Sequence, residues 1–426
     1  MFPRRNQRAS GNAHPTPRKH RADYQILLYM GILVIIGLIV IYSISPARVE
    51  MMNAGGNSTL AQTHFMERQF LYLGVGLTTF FVAASLPLNL WRKYPKHVLL
   101  LGLLSCALLS FLGLLMDGGL IIKTNGAVRW YDFGIISFQP SELLKFGILL
   151  FGATFLGKQV AQKKVNDLHE TLIPIGLIVV VSVLLVVVMQ KDMGTGLTIF
   201  GMVFAMLYAA GLSRKWLALG VGISLVSGVL MVLFSPHRIT RVLTFFSSSG
   251  VSDAASYHIN QATIALGSGG FFGKGLGHGV QAFGYLPEAV NDSIFAIVGE
   301  TFGFLGSTVV IVLFAALLWR ILKVMETTVA PEWRILTAGV FGLIATHVAV
   351  NVGAMTGVFP LTGVTLPFLS FGGTSLLFTM LELGIVMAIS RYTTHMNITK
   401  QEAVRETTVR RRGVGRSRYA SPRRNK

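Results

Sequence analysis

Only a few ionisable residues interrupt the long apolar runs of this chain, and their spacing limits the chemistry they could do. Asp292 closes the segment Leu286-Pro287-Glu288-Ala289-Val290-Asn291-Asp292, and Glu300 follows eight residues later. On a helix that spacing puts both carboxylates on roughly one side. Asp292 would sit at the mouth of a span, with Glu300 about two turns deeper. Ionisable groups at such depth are functional candidates by default, and a carboxylate at the mouth suits a general base. The structural alternative is that Asp292 caps the helix while Glu300 pairs with a buried cation.

A second acidic–basic pair lies in Phe138-Gln139-Pro140-Ser141-Glu142-Leu143-Leu144-Lys145. Pro140 fits the first turn of a helix and Ser141 can help cap it. Glu142 and Lys145 then share one helix face as an i, i+3 pair. Such a pair makes two charges tolerable near a membrane and also shapes the site it borders. Asp192, between Gln190-Lys191 and Met193-Gly194-Thr195, suits either the N-cap of a following span or a substrate contact. The run GSGGFFGKGLGHG at 267–279 invites comparison with a phosphate-binding loop, but Ser268 and Gly275 break the G-x-x-x-x-G-K-[ST] spacing. Its backbone amides could still cradle a pyrophosphate, or its glycines could serve tight turns alone.

The elements that must position these residues are membrane spans. Hydrophobic residues make up 52% of the 426 and charged residues 13%, with a mean hydropathy of +0.61. That leaves too little polar surface for a soluble globule of this size. The expected fold class is all-α, a polytopic membrane protein with about ten transmembrane helices. They fall at roughly 25–44, 68–86, 97–116, 138–157, 171–189, 193–212, 215–234, 293–321, 335–356 and 369–390. An even number puts both termini on one side. That side carries 28 of the 37 Lys and Arg, so the termini are expected in the cytoplasm. Basic tails at 1–23 and 391–426 flank a membrane domain at 24–390, whose outer loops 117–137 and 235–292 are long enough to carry function. The tails read as topology signals with an attraction to anionic membrane lipids. They lack interleaved aromatics or a module signature, so no nucleic acid partner is expected. Cys106 is the one cysteine, which excludes an internal disulfide and a paired-thiolate metal site. Nine cations fall on the outer side: Arg48, Arg68, Lys123, Arg129, Lys145, Lys191, Arg238, Arg241 and Lys274. Snorkelling accounts for Arg48 and Arg68. The others cluster about the two long loops, where an anionic ligand is the simplest reason for them.

Six ordered stretches carry a family resemblance. They are Asn125-Gly126-Ala127-Val128-Arg129-Trp130, FQPSELLK (138–145), QKDMGT (190–195), GGFFGKGLGHG (269–279), YLPEAVNDSIFAIVGE (285–300) and NVGAMTGVFPLTGVTLPFLSFGGTSLL (351–377). In order and spacing the chain resembles the SEDS family (shape, elongation, division and sporulation) over nearly all of 24–390. The form Gly363-Val364-Thr365-Leu366-Pro367-Phe368 is more similar to the division and sporulation members than to the elongation member. The resemblance implies a ten-span, inverting peptidoglycan glycosyltransferase. It would polymerise lipid II at the outer face of the cytoplasmic membrane, at the septum for a division member, and release undecaprenyl pyrophosphate. It implies the essential acid at Asp292, the loop tryptophan at Trp130, the Glu–Lys pair at Glu142 and Lys145, and loop arginines at Arg238 and Arg241. Arg129, Lys191, Asp192, Gln261, Lys274, Glu288 and Glu300 complete the expected substrate-binding set. The implied partners are a class B penicillin-binding protein, which is a transpeptidase, and other division or elongation proteins. The chain departs from the family pattern at Val290, Ser293, Thr301 and His258, where the family often has His, Phe, Glu and Gln; these surround the proposed acid without removing it.

The residues suit that chemistry. The attacking sugar hydroxyl needs a base within ~3 Å. One carboxylate suffices, because the leaving pyrophosphate is already a stable anion, unlike the alkoxide a glycosidase must protonate. The leaving group needs positive charge, from Arg and Lys or from a divalent cation such as Mg or Mn; no organic cofactor is expected. Two other classes stay open. A lipid II flippase or transporter predicts charged groups along a path through the membrane, where the sequence places few: Glu300, His347 and Glu382. A non-catalytic division scaffold predicts that Asp292→Asn remains functional.

Overall fold

The computed structural model describes residues 22–54, 60–116, 119–124, 127–134, 136–233 and 254–392. Both basic tails lie almost wholly outside the described residues, as do Arg238 and Arg241. Among the described residues the elements run α1 (Tyr24–Ala54), α2 (His64–Ser85), α3 (Leu88–Lys93), α4 (Pro95–Leu115), β1 (Ile121–Thr124), β2 (Ala127–Asp132), β3 (Ser137–Phe138), α5 (Pro140–Ala161), α6 (Leu168–Met189), α7 (Met193–Ala210), α8 (Arg214–Leu233), α9 (Ala254–Ser268), α10 (Ile294–Thr327), α11 (Pro331–Met355) and α12 (Gly373–Ser390). Eight of these helices are both long and apolar enough to cross a membrane: α1, α4, α5, α6, α7, α10, α11 and α12. The other two expected spans correspond to α2, 22 residues with Glu67, Arg68 and Gln69 in its first turns, and α8, 20 residues opening on Arg214-Lys215. The chain is a polytopic helical membrane protein.

Local signals set the helix ends. Pro95, Pro140 and Pro331 each open a helix, where the missing N–H costs nothing. Gly211, at φ 86°, closes α7 in the left-handed conformation. Ser141 does not cap α5; it is fully buried, and the capping position is Gln139.

Packing places α5, α11 and α12 at the centre, with 67%, 67% and 78% of their most apolar stretches buried against 28% for α4. Without a hydrophobic force between helices in lipid, close backbone approach supplies much of the cohesion. The α4–α5 crossing shows this reciprocally. A Cβ on Gly102 would stand 2.7 Å from Leu144 Cα, and one on Gly147 would stand 2.7 Å from Leu99 Cα.

One end of the bundle is closed by ion pairs: Arg320 with Asp23, and Arg92 with Glu332. The other end carries the turns and loops that build the site. There, three short antiparallel strands in the order β1-β2-β3 cover the end of α4. The sheet is an addition to the all-α expectation. Leu109 of α4 packs with Ile121 and Tyr131 in a small core of its own. Burial pushes the Tyr131 hydroxyl above its ordinary pKa, so it remains a neutral donor, at 3.0 Å to Ser105 O of α4.

The long loop before α10 is also built. It contains α9, whose Ala262 and Ala265 are fully buried, and α9 packs against α10. α10 itself is broken at Gly303, at φ 67° and ψ −163°.

Candidate functional site

The site grows from a bulge. Ile122 pairs with Trp130 and Lys123 with Val128, so the ladder skips Arg129. Residues three apart in a regular strand point to opposite faces. Here Val128 meets Gly113 of α4 and Tyr131 bonds Ser105 of the same helix, and the extra residue between them permits it. Bulges re-aim side chains in this way. Arg129 turns toward the loop ahead of α7, where its Nη2 donates to Lys191 O at 2.7 Å. Lys191 holds a left-handed φ of 56° and is itself exposed.

Asp292 is half-buried in a tight turn just ahead of α10. The side-chain amide of Asn351 (α11) donates to Asp292 O and to Val364 O, each at 2.7 Å. Phe371 N donates to Val290 O at 2.8 Å. These bonds dock the turn on the loop 361–372. Gly363 of that loop lies close to both charged groups of the site: a Cβ there would stand 3.8 Å from Asp292 Oδ2 and 3.9 Å from Arg129 Nη1. A carboxylate and a guanidinium thus come together beside one glycine at the loop-bearing end of the bundle.

Glu300 is not part of that pairing. Its side chain is fully buried and accepts from Lys274 Nζ at 3.0 Å, Val280 N at 2.8 Å and Gln281 N at 3.2 Å. The eight-residue spacing from Asp292 therefore leads to a structural clasp rather than a second carboxylate in the site. The glycine-rich run is the other half of this clasp. Where α10 breaks, Lys274 N donates to Glu300 O at 2.9 Å and Gly275 N to Thr301 O at 3.0 Å. In return Phe304 N and Leu305 N donate to Gly270 O and Phe271 O. A Cβ on Gly273 would collide with Thr301 O, and one on Gly279 would stand 2.8 Å from Glu300 Oε2. The amides of Lys274, Gly275, Val280 and Gln281 are thus committed to their own chain, and the phosphate-cradle expectation for them does not hold. Lys274, a third exposed, is committed to Glu300.

Beneath the site lies a sealed polar cluster. Glu142 and Lys145 pair at 2.9 Å with side chains 6% and 2% exposed. Lys145 Nζ donates to His347 Nε2 at 3.3 Å. Because an ammonium only donates, His347 Nε2 accepts and Nδ1–H donates onward to Thr365 O, at 3.1 Å. Glu382, also buried, interacts with the charges of Lys145 and Glu142. Among the described residues the pair is linked to Asp292 through the loop 361–368, by His347 to Thr365 O and Asn351 to Val364 O and Asp292 O.

Asp192 is the N-cap of α7: it accepts from Thr195 N at 3.1 Å and Thr195 Oγ1 at 2.8 Å, with Gln139 Nε2 at 3.3 Å. That fills it with helix-capping work rather than ligand contact. Trp130 is half-buried in β2 and Gln261 half-buried on α9. Glu288 is exposed, with a left-handed φ of 49°, and accepts from Asn291 Nδ2 at 2.6 Å.

Residues 24–395 match the family model described as "Cell cycle protein", of the FtsW, RodA and SpoVE type. The chain belongs to the FtsW/RodA/SpoVE family. It is 33% identical over 378 residues to stage V sporulation protein E of Bacillus subtilis, covering 88% of this chain and 99% of that one. It is 34% identical over 333 residues to a probable peptidoglycan glycosyltransferase FtsW of Coxiella burnetii, covering 77% of this chain and 86% of the relative. Among solved structures it resembles a chain from a study of polymerization and crosslinking coordinated by a peptidoglycan synthase complex, with a TM-score of 0.70, 25% identity, and coverage of 88% of this chain and 99% of that one. It shares the fold of the Thermus thermophilus rod shape determining protein RodA, at a TM-score of 0.63, 24% identity, and coverage of 88% and 98%.

Within this FtsW/RodA/SpoVE chain, sequence reasoning did not single out Asn351 or Gly363 as members of the site, although both lie in the 351–377 stretch. No charge or metal-type spacing marks them. Asn351 shows itself only through the two carbonyls it bridges, and Gly363 only through what stands on either side of it.

Proposed function

We propose that this chain polymerises lipid II into β-1,4 glycan strands at the outer face of the cytoplasmic membrane, with Asp292 as general base. The observation that carries the reading is that half-buried Asp292 and Arg129 meet at Gly363, with Oδ2 of one and Nη1 of the other each within 4 Å of where a Cβ there would stand. Asp292 takes the proton of the acceptor sugar's 4-hydroxyl as that oxygen bonds to the donor's anomeric carbon. The bond from that carbon to the pyrophosphate oxygen breaks, and its electron pair leaves on undecaprenyl pyrophosphate. Arg129 and the exposed Lys191 supply positive charge for the leaving group. Direct displacement turns an α-linked donor into a β link.

A resident metal does not fit the described residues, among which no three His, Cys, Asp or Glu side chains gather into a possible metal site. A divalent cation such as Mg or Mn fits this reading as a companion of the substrate's phosphates, the usual habit of Mg.

The division role and the septal location rest on the FtsW relatives and the family description. A class B penicillin-binding protein as partner rests on the similar chain from the polymerization and crosslinking complex. The charged groups within the bundle do not favour transport: Glu142, Lys145, His347 and Glu382 are between 1% and 7% exposed, sealed from any open path.

The test is glycan-strand formation from labelled lipid II by the purified protein and its Asp292→Asn variant, each with the cognate transpeptidase. Polymer from wild type alone is expected. Polymer from both would remove Asp292 as base, and polymer from neither would favour a transport or scaffold role.

A further inference from the structure

The turn that carries Asp292 is held from two sides. On one side Asn351 grips the Asp292 carbonyl. On the other, α9 reaches the turn through His258, whose Nε2 lies 2.6 Å from Ser293 Oγ. Ser293 Oγ donates its one proton to Pro287 O at 2.8 Å. A hydroxyl has a single donor, so His258 Nε2–H must donate to Ser293. The relay from His258 through Ser293 to Pro287 closes the turn 287–293 upon itself and ties it to α9. Ser293 is fully buried, and so are Ala262 and Ala265, one and two turns beyond His258 on the same helix. The latch is therefore anchored on a packed element. Both of its members stand where the chain departs from the family pattern.

We propose that His258 is a positioning residue for Asp292. It fixes the turn so that the carboxylate meets the acceptor hydroxyl, a role that rests on the reading of Asp292 as general base. Geometry at a reacting centre is demanding, and a misplacement of about 1 Å costs on the order of a hundredfold in rate. His258 does not touch the reacting atoms in this account; it acts through Ser293.

The experiment compares full-length wild type with His258→Ala, His258→Gln and Ser293→Ala, read by backbone hydrogen exchange over 286–293 and by kcat and KM for glycan polymerisation. Glutamine places an amide donor near the Nε2 position and keeps the bond to Ser293. His258→Ala is expected to speed exchange in the turn and to lower kcat by about tenfold to a hundredfold with KM little changed. His258→Gln restores both, and Ser293→Ala behaves like His258→Ala, with the double variant no worse than either single one. The inference is overturned when His258→Ala leaves exchange in the turn at the wild-type level, or when His258→Gln fails to restore it. Exchange that follows His258 while wild type makes no polymer would support the latch and defeat the glycosyltransferase reading instead. Should His258→Ala fail to fold, His258→Gln against Ser293→Ala carries the same contrast.

Discussion

Replacing Glu300 by alanine separates a clasp from a catalytic group. The carboxylate is fully buried and serves three donors: two backbone amides, of Val280 and Gln281, and the Lys274 ammonium. Alanine leaves the two amides facing a cavity. Each orphaned buried donor costs about 1–3 kcal/mol, so the amides alone amount to about 2–6 kcal/mol. Lys274, a third exposed, turns to water and adds little. The loss should be local, because the donors all belong to the 274–281 loop and this loop satisfies the broken backbone of α10 at Gly303. Thermal unfolding in detergent should shift downward, and hydrogen exchange should rise first at 274–281 and 300–305. Glutamine keeps one acceptor oxygen and should lie between wild type and alanine. The reasoning fails if Glu300→Ala unfolds at the wild-type temperature with a protected loop and yet loses polymerisation. Glu300 would then belong to the chemistry, as its sequence position suggested.

Asp292→Asn keeps the size of the side chain and the backbone bond from Asn351, so folding should hold while polymerisation falls by about 10²–10⁴-fold, measured on matched folded protein. Lys145→Met leaves Glu142 buried without its cation and should destabilise by about 3–5 kcal/mol; adding Glu142→Gln should recover most of that, read by thermal unfolding. Gly273→Ala and Gly277→Ala both force a left-handed residue, at φ 85° and 77°, but only position 273 also collides with a backbone oxygen, that of Thr301. Gly277→Ala should therefore cost about 1–2 kcal/mol and Gly273→Ala clearly more, compared by the same unfolding assay.

Much of the architecture was legible because apolar length is a strong signal. Each expected span overlaps a helix, eight of them long and apolar enough to cross a membrane, and Pro140 opens α5 as its position implied. The legible part of the site was its list of charged residues. Their grouping was hidden, since sequence spacing along one helix says nothing about which neighbour reaches in from another element. Glu300 sits on the helix that follows Asp292, yet its partners come from the glycine-rich run and the two residues after it, about twenty residues earlier in the chain. The break at Gly303 that makes room for them left no signature beyond one more glycine in an apolar run. The sheet did carry a signal: short β-branched and aromatic runs around Asn125-Gly126 mark a hairpin. The dominance of long apolar stretches on either side obscured it.

The charged groups divide by what surrounds them, and the division explains how a membrane-embedded bundle can carry charge stably. Glu142, Lys145 and His347 spend their hydrogen bonds on one another and on Thr365 O. Burying charge is tolerable only when such partners are in place. The chain of bonds ends on the loop 361–368, and Asn351 ties that same loop, at Val364, to the carbonyl of Asp292. A bonded polar interior thus holds the loop, and the loop holds one backbone atom of the half-buried acid. Asp292 Oδ2 lies beside Gly363, and so does Arg129 Nη1, each within 4 Å of where a Cβ there would stand. A larger residue there would reach toward both atoms. Under the proposed reaction the glycine therefore matters to the site as the two charges beside it do, because it leaves the space next to both of them clear.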